Sequence, residues 1–383
     1  MSGRPVPLDR PVRVGIVGSG FRARTMLRVL QALPGRFEVT GVATRSTADR
    51  EALATTGLPA AGLPGSPAPA FASPEDLVAK GAPDFVALTL PAGAAQAVVR
   101  TLAAAGVPVL QETPAAGTVR ELAALQELVD GGACVQVAEQ YHLEPLVAAQ
   151  LGVAASGLLG RVTDAHVSVA HDYHGLSVLR RVLGVTADDA VITARRDERR
   201  LAASPGREGD PEGLSLVGTV HSTAWLDFGD RLGVYEFDDQ QYRSWVRSPT
   251  LVVRGELGEV RDETVRYVTA EGTPVRSRLE RVAAGGAGSH EGLFLRGYLF
   301  EGRWADRNDL LPARLADDEL SIARLFDRMG RHVLAGAAAP YEVAEAAQDQ
   351  YLQLEVRRAA ETGLPVRTTA QPWAARRGCR RHA

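Results

Sequence analysis

Near the start of this chain a strand runs straight into a glycine turn, and few folds accept that junction. Residues 12–17, VRVGIV, are a short β-branched run of the kind that forms a buried parallel strand. GSGFRA (18–23) follows, and then TMLRVLQAL, in which Met26, Leu27, Leu30 and Leu33 recur at helical spacing. Pro34-Gly35 ends that helix, and FEVTGVAT (37–44) reads as a second strand. The turn fits G-x-G-x-x-G/A in the place where that pattern has a physical meaning. Gly18 permits the tight turn, and Gly20 lets the backbone approach a pyrophosphate. Around Ser19, Phe21 and Arg22 the helix N-terminus offers unpaired N–H groups to the charge. The unit predicts dinucleotide binding.

The alternation continues. A helix is expected over 47–56, and the Gly-, Pro-, Ala- and Ser-rich stretch 57–72 reads as a loop. PEDLVAK (74–80) is a short helix, DFVALTLP (84–91) a strand, 94–106 a helix and VPVLQETP (107–114) a strand. Another helix and the strand CVQVAEQY (134–141) complete the series. Strand and helix in strict turn imply a parallel sheet covered on both faces.

The pattern changes after about residue 145. A helix (145–157), the segment 161–175 and a helix of about ten residues lead into strand-like runs between 190 and 300, at 190–196, 215–228, 231–239, 242–255, 258–269 and 292–300. These alternate apolar and polar residues, as antiparallel strands with one wet face do. The polar stretch 197–213 reads as a mobile loop, helices return at 317–335 and 341–361, and the tail from 371 should fray. The expected fold is α/β, an N-terminal Rossmann dinucleotide-binding domain followed by an α+β domain with an open, mostly antiparallel sheet. The domains are placed at 10–140 and 141–370, the second for substrate binding and oligomerisation, with a basic, disordered tail at 371–383.

Composition then removes other classes of function. With 43 basic and 46 acidic residues the net charge is −3, which does not call for nucleic acid or an anionic membrane as partner. No apolar run approaches the roughly 18–20 residues of a membrane span. The opening MSGRPVPLDRPVRV has no apolar stretch long enough for a secretion signal, which predicts a cytoplasmic protein. Cys134 and Cys379 make neither a metal cluster nor a disulfide framework. The only lysine is Lys80, so any catalytic scheme that needs a lysine must use it.

At the end of the second strand, Thr44, Arg45 and Ser46 stand where an acid would select NAD through the ribose 2′-hydroxyl. An arginine there accommodates a 2′-phosphate instead, so NADP is the expected cofactor and NAD the alternative.

By these residues the chain resembles the Gfo/Idh/MocA oxidoreductases, named for glucose–fructose oxidoreductase, inositol dehydrogenase and a rhizopine-catabolism protein. The resemblance spans nearly the whole chain and is carried by VGIVGSGFRAR, LTLPAG (88–93), VLQETPAA (109–116), VAEQYHLEP (137–145) and HGLSVLRRVLG (174–184). It implies a nicotinamide-dependent oxidation or reduction at a hydroxyl or carbonyl of a sugar, cyclitol or similar polyol. It also implies that Leu90, Pro91, Glu112, Thr113 and Gln140 join the glycine turn in holding the cofactor.

The departures from that family are equally informative. Its Glu-Lys-Pro is here Glu112-Thr113-Pro114, so its catalytic lysine is absent, and Lys80 is placed at the end of the sheet opposite the ligand crevice. Its histidine and acid element is His174-Gly175-Leu176-Ser177, with the histidine kept and the acid replaced by serine. The polar groups left at the expected site are Tyr141, His142, His171, Asp172, Tyr173 and His174. His174 is the expected catalytic residue, at the start of a helix 175–184 whose Leu176, Leu179 and Leu183 face inward. A neutral imidazole can accept a hydroxyl proton as hydride leaves the adjacent carbon. Tyr173 or Tyr141 would be the second group.

Other readings stay in view. His166, His171 and His174, with Asp164 and Asp172 nearby, have no familiar metal spacing, and the two histidines of the expected strand differ in parity, so no metal is expected. Tyr242, Arg243 and Trp245 could contact substrate or pack the sheet, and His142 and His221 could line a pocket. Two rival functions share the fold: a glycosidase that holds NAD permanently and assists elimination by transient oxidation, and a non-catalytic dinucleotide sensor that binds another protein. A sheet over 214–270 whose uncovered face still carries Val, Leu, Trp and Tyr predicts a homodimer or homotetramer.

Overall fold

The computed structural model describes residues 8–60, 64–206, 209–285 and 295–374. The chain divides into two compact units. One takes the described residues up to Leu143 together with Asp309–Ala346; the other takes Glu144–Asn308 and the described residues from Ala347 onward. The expected boundary at 140–141 thus stands beside a division at Leu143, with Asp309–Ala346 returning to the first unit.

The first unit is a six-stranded sheet. Its strands are β1 (Val12–Val17), β2 (Phe37–Ala43), β3 (Ala70–Phe71), β4 (Phe85–Leu88), β5 (Val109–Gln111) and β6 (Val135–Val137). They lie in the order β3-β2-β1-β4-β5-β6, and every pairing is parallel. The connecting helices are α1 (Phe21–Gln31), α2 (Thr47–Thr55), α3 (Pro74–Asp76, running on as a π-helical turn Leu77–Gly81), α4 (Ala92–Ala104) and α5 (Val119–Asp130). Val14, Ile16 and all of Phe85–Leu88 are buried, as strands covered on both faces must be. Strand order reverses between β1 and β4, which opens a crevice beyond their carboxyl ends.

The helix Asp317–Ala335 also packs in this unit. Phe326 sets its ring 6.3 Å from that of Phe37 and 5.8 Å from that of Phe85. Gly330 allows the close approach, because a Cβ there would lie 2.5 Å from the Val12 side chain. Arg28 pairs with Glu319, and Arg36 with Asp327 at 3.1 Å. One expectation is corrected here. The stretch 57–72 is not all loop, since Ala70–Phe71 pairs with Val42–Ala43 as an edge strand. Two residues set by their neighbour leave no periodicity to read; residues 61–63 of that stretch lie outside the described residues.

The second unit opens with α6 (Pro145–Ala155), β7 (Val162–Ser168) and α7 (Asp172–Leu183). The remaining strands are β8 (Val191–Ala202), β9 (Leu216–Asp227), β10 (Leu232–Asp238), β11 (Thr250–Gly255), β12 (Gly258–Arg261), β13 (Thr264–Val268), β14 (Pro274–Ala283), β15 (Leu295–Phe300), β16 (Arg303–Arg307) and β17 (Val366–Arg367). Their order is β16-β15-β14-β13-β12-β11-β7-β10-β9-β8-β17, antiparallel except for the parallel pair β7–β10. Two glycines bring α7 onto the middle of this sheet. A Cβ at Gly175 would lie 2.6 Å from the Tyr235 ring, and one at Gly233 would lie 2.7 Å from Leu179. Arg180 and Asp349 form an ion pair buried in the same unit, their side chains 2% and 3% exposed.

Several expectations change in this unit. Asp197–Ala202 belong to β8, paired with residues 216–221, rather than to a mobile loop. Their charged residues stand on a wet hairpin, where strand composition turns polar. Residues 242–249 are not strand but a 3-10 turn, Gln241–Arg243, and a connection, so β11 begins only at Thr250. The run 258–269 is a hairpin of two strands, and β14 and β16 had no sequence expectation at all. The expected strand at 292–300 is described only from Leu295. The tail does not fray at 371: Pro372–Ala374 form a 3-10 turn in which Trp373 is 2% exposed and donates to Gln348 at 2.9 Å. Residues 375–383, with Cys379, lie outside the described residues.

The sheet face away from α7 is more charged than expected. Arg254 lies between Asp164 (2.9 Å) and Glu259 (2.8 Å), with Arg266 at 3.4 Å from Glu259. His166 and His221 donate from Nε2 to opposite oxygens of Glu236, at 2.9 and 2.7 Å. The His166 hydrogen bond, aided by that of His221, holds the Glu236 carboxyl down to about 2. Beside these charges Trp225, Leu232 and Val268 are exposed on the same face.

Candidate functional site

In the first unit the polar groups gather around the N-terminus of α1. Gly18 has φ +118°, a conformation that favours glycine, and a Cβ there would fall on the Thr89 hydroxyl. Its N–H donates to the Ala43 carbonyl at 2.9 Å, which fixes the turn against the end of β2. Gly20 caps the helix with no side-chain hydrogen bond, and a Cβ added to it would meet nothing within 4 Å. The first turn of α1 therefore presents backbone donors beside open space, the arrangement that suits an anion. Phe21 stands exposed at the first helical position.

Arg22 ties three expected residues together. Its guanidinium donates to Glu112 and to Gln140, and the other Glu112 oxygen accepts from the Thr113 N–H at 3.0 Å. The sequence placed each of these on the cofactor separately; the fold joins them into one network. Leu90 is half-buried, and Pro91 is the exposed N-cap of α4. Tyr141 opens a 3-10 turn and donates its N–H to Glu139 at 3.0 Å. His142 is buried, its ring 5.4 Å from that of Tyr341.

The ribose end is more balanced than Thr44, Arg45 and Ser46 alone imply. Thr44 is buried with its hydroxyl 3.0 Å from that of Ser19. Ser46 caps α2 by accepting from the Asp49 N–H at 3.1 Å, and Arg45 is exposed. The Ser19 hydroxyl donates to Asp49 at 2.6 Å, and Arg24 reaches the same carboxylate at 3.4 Å. Asp49 was not anticipated, because it lies on α2 rather than at the end of β2. An acid three residues past a serine cap was the available signal.

Lys80 is where the sequence put it. It pairs with Asp76 at 2.6 Å, and the neighbouring Gly81 carbonyl accepts from Arg13, near the amino end of β1. Gly18 follows the opposite end of that strand.

In the second unit the residues cluster at the start of α7. That helix begins at Asp172, three residues earlier than expected, with His171 as its N-cap. His174 is buried in the first turn, its ring 4.4 Å from that of Tyr173 and 5.0 Å from that of His171. Ser177 donates its hydroxyl to the His174 carbonyl at 2.8 Å. Leu176, Leu179 and Leu183 are buried as expected. Because His171 caps the helix, it does not lie on β7 with His166, and strand parity says nothing about that pair. Among the described residues no group of three or more His, Cys, Asp or Glu is placed to hold a metal ion.

Asp172 carries φ +49°, a strained conformation for a non-glycine residue, held from two sides. Its N–H donates to the Tyr235 hydroxyl at 2.7 Å, and its carboxylate accepts from Gln353 at 2.7 Å. Burial, with the Asp172 carboxylate adding to it, pushes the Tyr235 phenol well above its usual range, so it stays neutral. The Tyr242 hydroxyl accepts from the His171 N–H at 3.1 Å and lies 2.6 Å from its Nδ1. Beside these groups is a cavity of about 360 Å³, also lined by Arg196, Arg357 and Phe237, all in this unit. Of the three residues suspected at 242–245, Tyr242 reaches it, while Arg243 and Trp245 are exposed.

The comparisons with known proteins agree with this architecture. The sequence profile of the Gfo/Idh/MocA oxidoreductase family, described by its NAD-binding Rossmann fold, matches residues 12–149. No curated protein sequence matches the chain. Among solved structures, an oxidoreductase from Agrobacterium radiobacter in complex with NAD+, L-tartaric acid and magnesium is similar at 15% identity and TM-score 0.65, over 93% of this chain and 98% of that one. The WlbA dehydrogenase from Bordetella pertussis, in complex with NADH and UDP-GlcNAcA, is similar at 17% identity and TM-score 0.61, over 96% and 100%. An oxidoreductase domain protein from Kribbella flavida is similar at 15% identity and TM-score 0.65, over 94% and 100%. At such identities the likeness is one of fold. No helix among the described residues is long and apolar enough to cross a membrane. Over residues 12–149, then, the chain is similar to the NAD-binding Rossmann domain of the Gfo/Idh/MocA oxidoreductases.

Proposed function

We propose that the protein is an NAD(P)-dependent oxidoreductase acting at a CH–OH or carbonyl carbon of a sugar-like or polyol substrate. The observation that carries the reading is the start of α1, capped by Gly20 without a side-chain hydrogen bond, with Gly18 set against Thr89 and open space beyond Gly20. That donor set fits a dinucleotide pyrophosphate, with the Arg22–Glu112–Gln140 network beside it. A bound nicotinamide cofactor supplies a hydride acceptor or donor. The chain supplies the proton chemistry: His174 takes the proton of the substrate hydroxyl, or returns it in the reverse direction, with Tyr173 or Tyr141 as second group. Solved relatives with sugar-acid ligands, UDP-GlcNAcA and L-tartaric acid, support a hydroxylated substrate. The exposed Trp225 and Val268 support assembly as a homodimer or homotetramer.

NADP is the preferred cofactor in this reading, with Arg45 meeting the 2′-phosphate. One observation favours NAD instead: Asp49 sets a carboxylate against the glycine loop through Ser19. Titration of both cofactors into the full-length protein and two variants decides between them. Arg45→Ala should weaken NADP by about 1.5–3 kcal/mol, the size of a hydrogen bond to a charged group, and leave NAD unchanged. Unchanged NADP affinity in Arg45→Ala, with weaker NAD binding in Asp49→Asn, assigns the protein to NAD. A permanently bound cofactor with glycoside cleavage replaces this function by the glycosidase, and cofactor binding without turnover replaces it by the sensor.

A further inference from the structure

The cavity at the start of α7 has an uneven set of polar groups. Arg195 on β8 is held by Asp197 at 2.8 Å. Its neighbour Arg196 and Arg357, on the helix Val343–Thr362, both line the cavity, and neither forms an ion pair with a described residue. Two guanidiniums thus face one space from different elements with their charge unanswered. Such a fork pairs with the planar oxygens of a carboxylate.

The carboxylates of the cavity are differently placed. One Asp172 oxygen accepts from Gln353, and one Asp239 oxygen accepts from the Thr219 hydroxyl at 2.7 Å. A carboxylate has about four lone-pair sites, so each keeps acceptor capacity for a hydroxyl donor. Phe237, Val356 and Ala360 give the space an apolar wall. At about 360 Å³ it is within the size of small-molecule sites, roughly 300–1,000 Å³. A neutral sugar would use the acceptors and leave both arginines unanswered; a simple anion would do the reverse.

We propose that this cavity binds a polyhydroxylated carboxylate, its acid group on Arg196 and Arg357 and its hydroxyls on Asp172 and Asp239. As the substrate class of the enzyme, this rests on the oxidoreductase reading above; as a binding site, it does not.

The test is calorimetric titration of the full-length protein with D-gluconate, D-glucuronate, D-glucose and inorganic phosphate, beside an independent turnover assay with both cofactors. The acids should bind at least tenfold more tightly than glucose and phosphate. Arg196→Ala and Arg357→Ala should each remove at least tenfold of that affinity, and Arg196→Lys should restore part of it. Cofactor titration checks that each variant is folded. Equal affinity for glucuronate and glucose, or alanine variants that bind the acids normally, overturns the proposal, and phosphate binding as tightly as the acids overturns its hydroxyl half. Acid binding without hydride transfer upholds the site and removes the oxidoreductase reading. Turnover of neutral polyols with no preference for acids keeps that reading and removes this one.

Discussion

The two units build their sites by different means. In the first, the anion cradle is made by neighbours in sequence: Gly18, Gly20 and the opening of α1 follow directly from β1. Its recognition groups are mostly backbone N–H donors, and the glycines act through what they lack. In the second unit, the cluster at the start of α7 joins Asp172, Tyr235, Tyr242 and Gln353, drawn from a helix start, a strand, a loop and a late helix. Its groups are side chains, and nothing in the local sequence announces their partners. A site coded in backbone conformation is local and readable, whereas one coded in side chains waits for the fold.

The contrast between the two units meets its hardest test at His174. If the second unit supplies the proton chemistry, His174→Ala should lower the rate by about 100- to 10,000-fold, the usual loss for a general acid–base group. Cofactor affinity, which belongs to the first unit, should hold. Replacing Tyr173 and Tyr141 by Phe in turn then shows which tyrosine completes the pair. Near-normal turnover by His174→Ala would move the proton chemistry to a tyrosine.

Gly18 probes the other unit. An alanine there must keep φ near +118° and push its Cβ against Thr89. Strain of this kind costs about 1–3 kcal/mol, before any movement of the turn away from the anion position. Gly18→Ala should therefore lower the melting temperature and weaken both NAD and NADP, whatever the choice at Arg45. Normal binding of both cofactors in that variant would mean that the cradle does not depend on the turn.

The same contrast explains what the sequence made legible. The parallel strands of the first unit are buried on both faces, so VRVGIV and DFVALTLP stand out as apolar runs. Strand β14, PVRSRLERVA, is exposed along most of its length, and the end of β8 is DERRLA. Exposure removes the apolar alternation by which a strand is recognised, and these strands exist because their neighbours hold them in register. His171 was misplaced for a related reason: the helix start is set by a strained Asp172 that Tyr235 and Gln353 hold, both far away in sequence. Trp373, one aromatic in a basic tail, is buried by a partner at Gln348 that the tail itself does not reveal. The glycine turn and the helix that begins beside His174 were readable, while the bond of Ser19 to Asp49 and the meeting of Arg196 and Arg357 at one cavity were not.

The smallest expected effects fall on the two positions where a lysine invites attention. In the reading proposed above, Thr113 takes the place of the Gfo/Idh/MocA lysine, but near neutral pH a threonine hydroxyl is neither a base nor a cation. Its backbone N–H, not its side chain, makes the closer bond to Glu112, at 3.0 Å against 3.4 Å for the hydroxyl. Thr113→Ala keeps that N–H and should change turnover only a few-fold, on the scale of one neutral hydrogen bond, about 0.5–1.5 kcal/mol. Lys80 is exposed on a π-helical turn, paired with Asp76 one helical turn earlier, near the amino end of β1. Exposed pairs of this spacing add little to stability, and an arginine can keep the contact. Lys80→Arg should therefore be silent in turnover, cofactor affinity and melting temperature alike. A large loss of turnover in Lys80→Arg would return the only lysine of the chain to the chemistry and remove His174 from its centre.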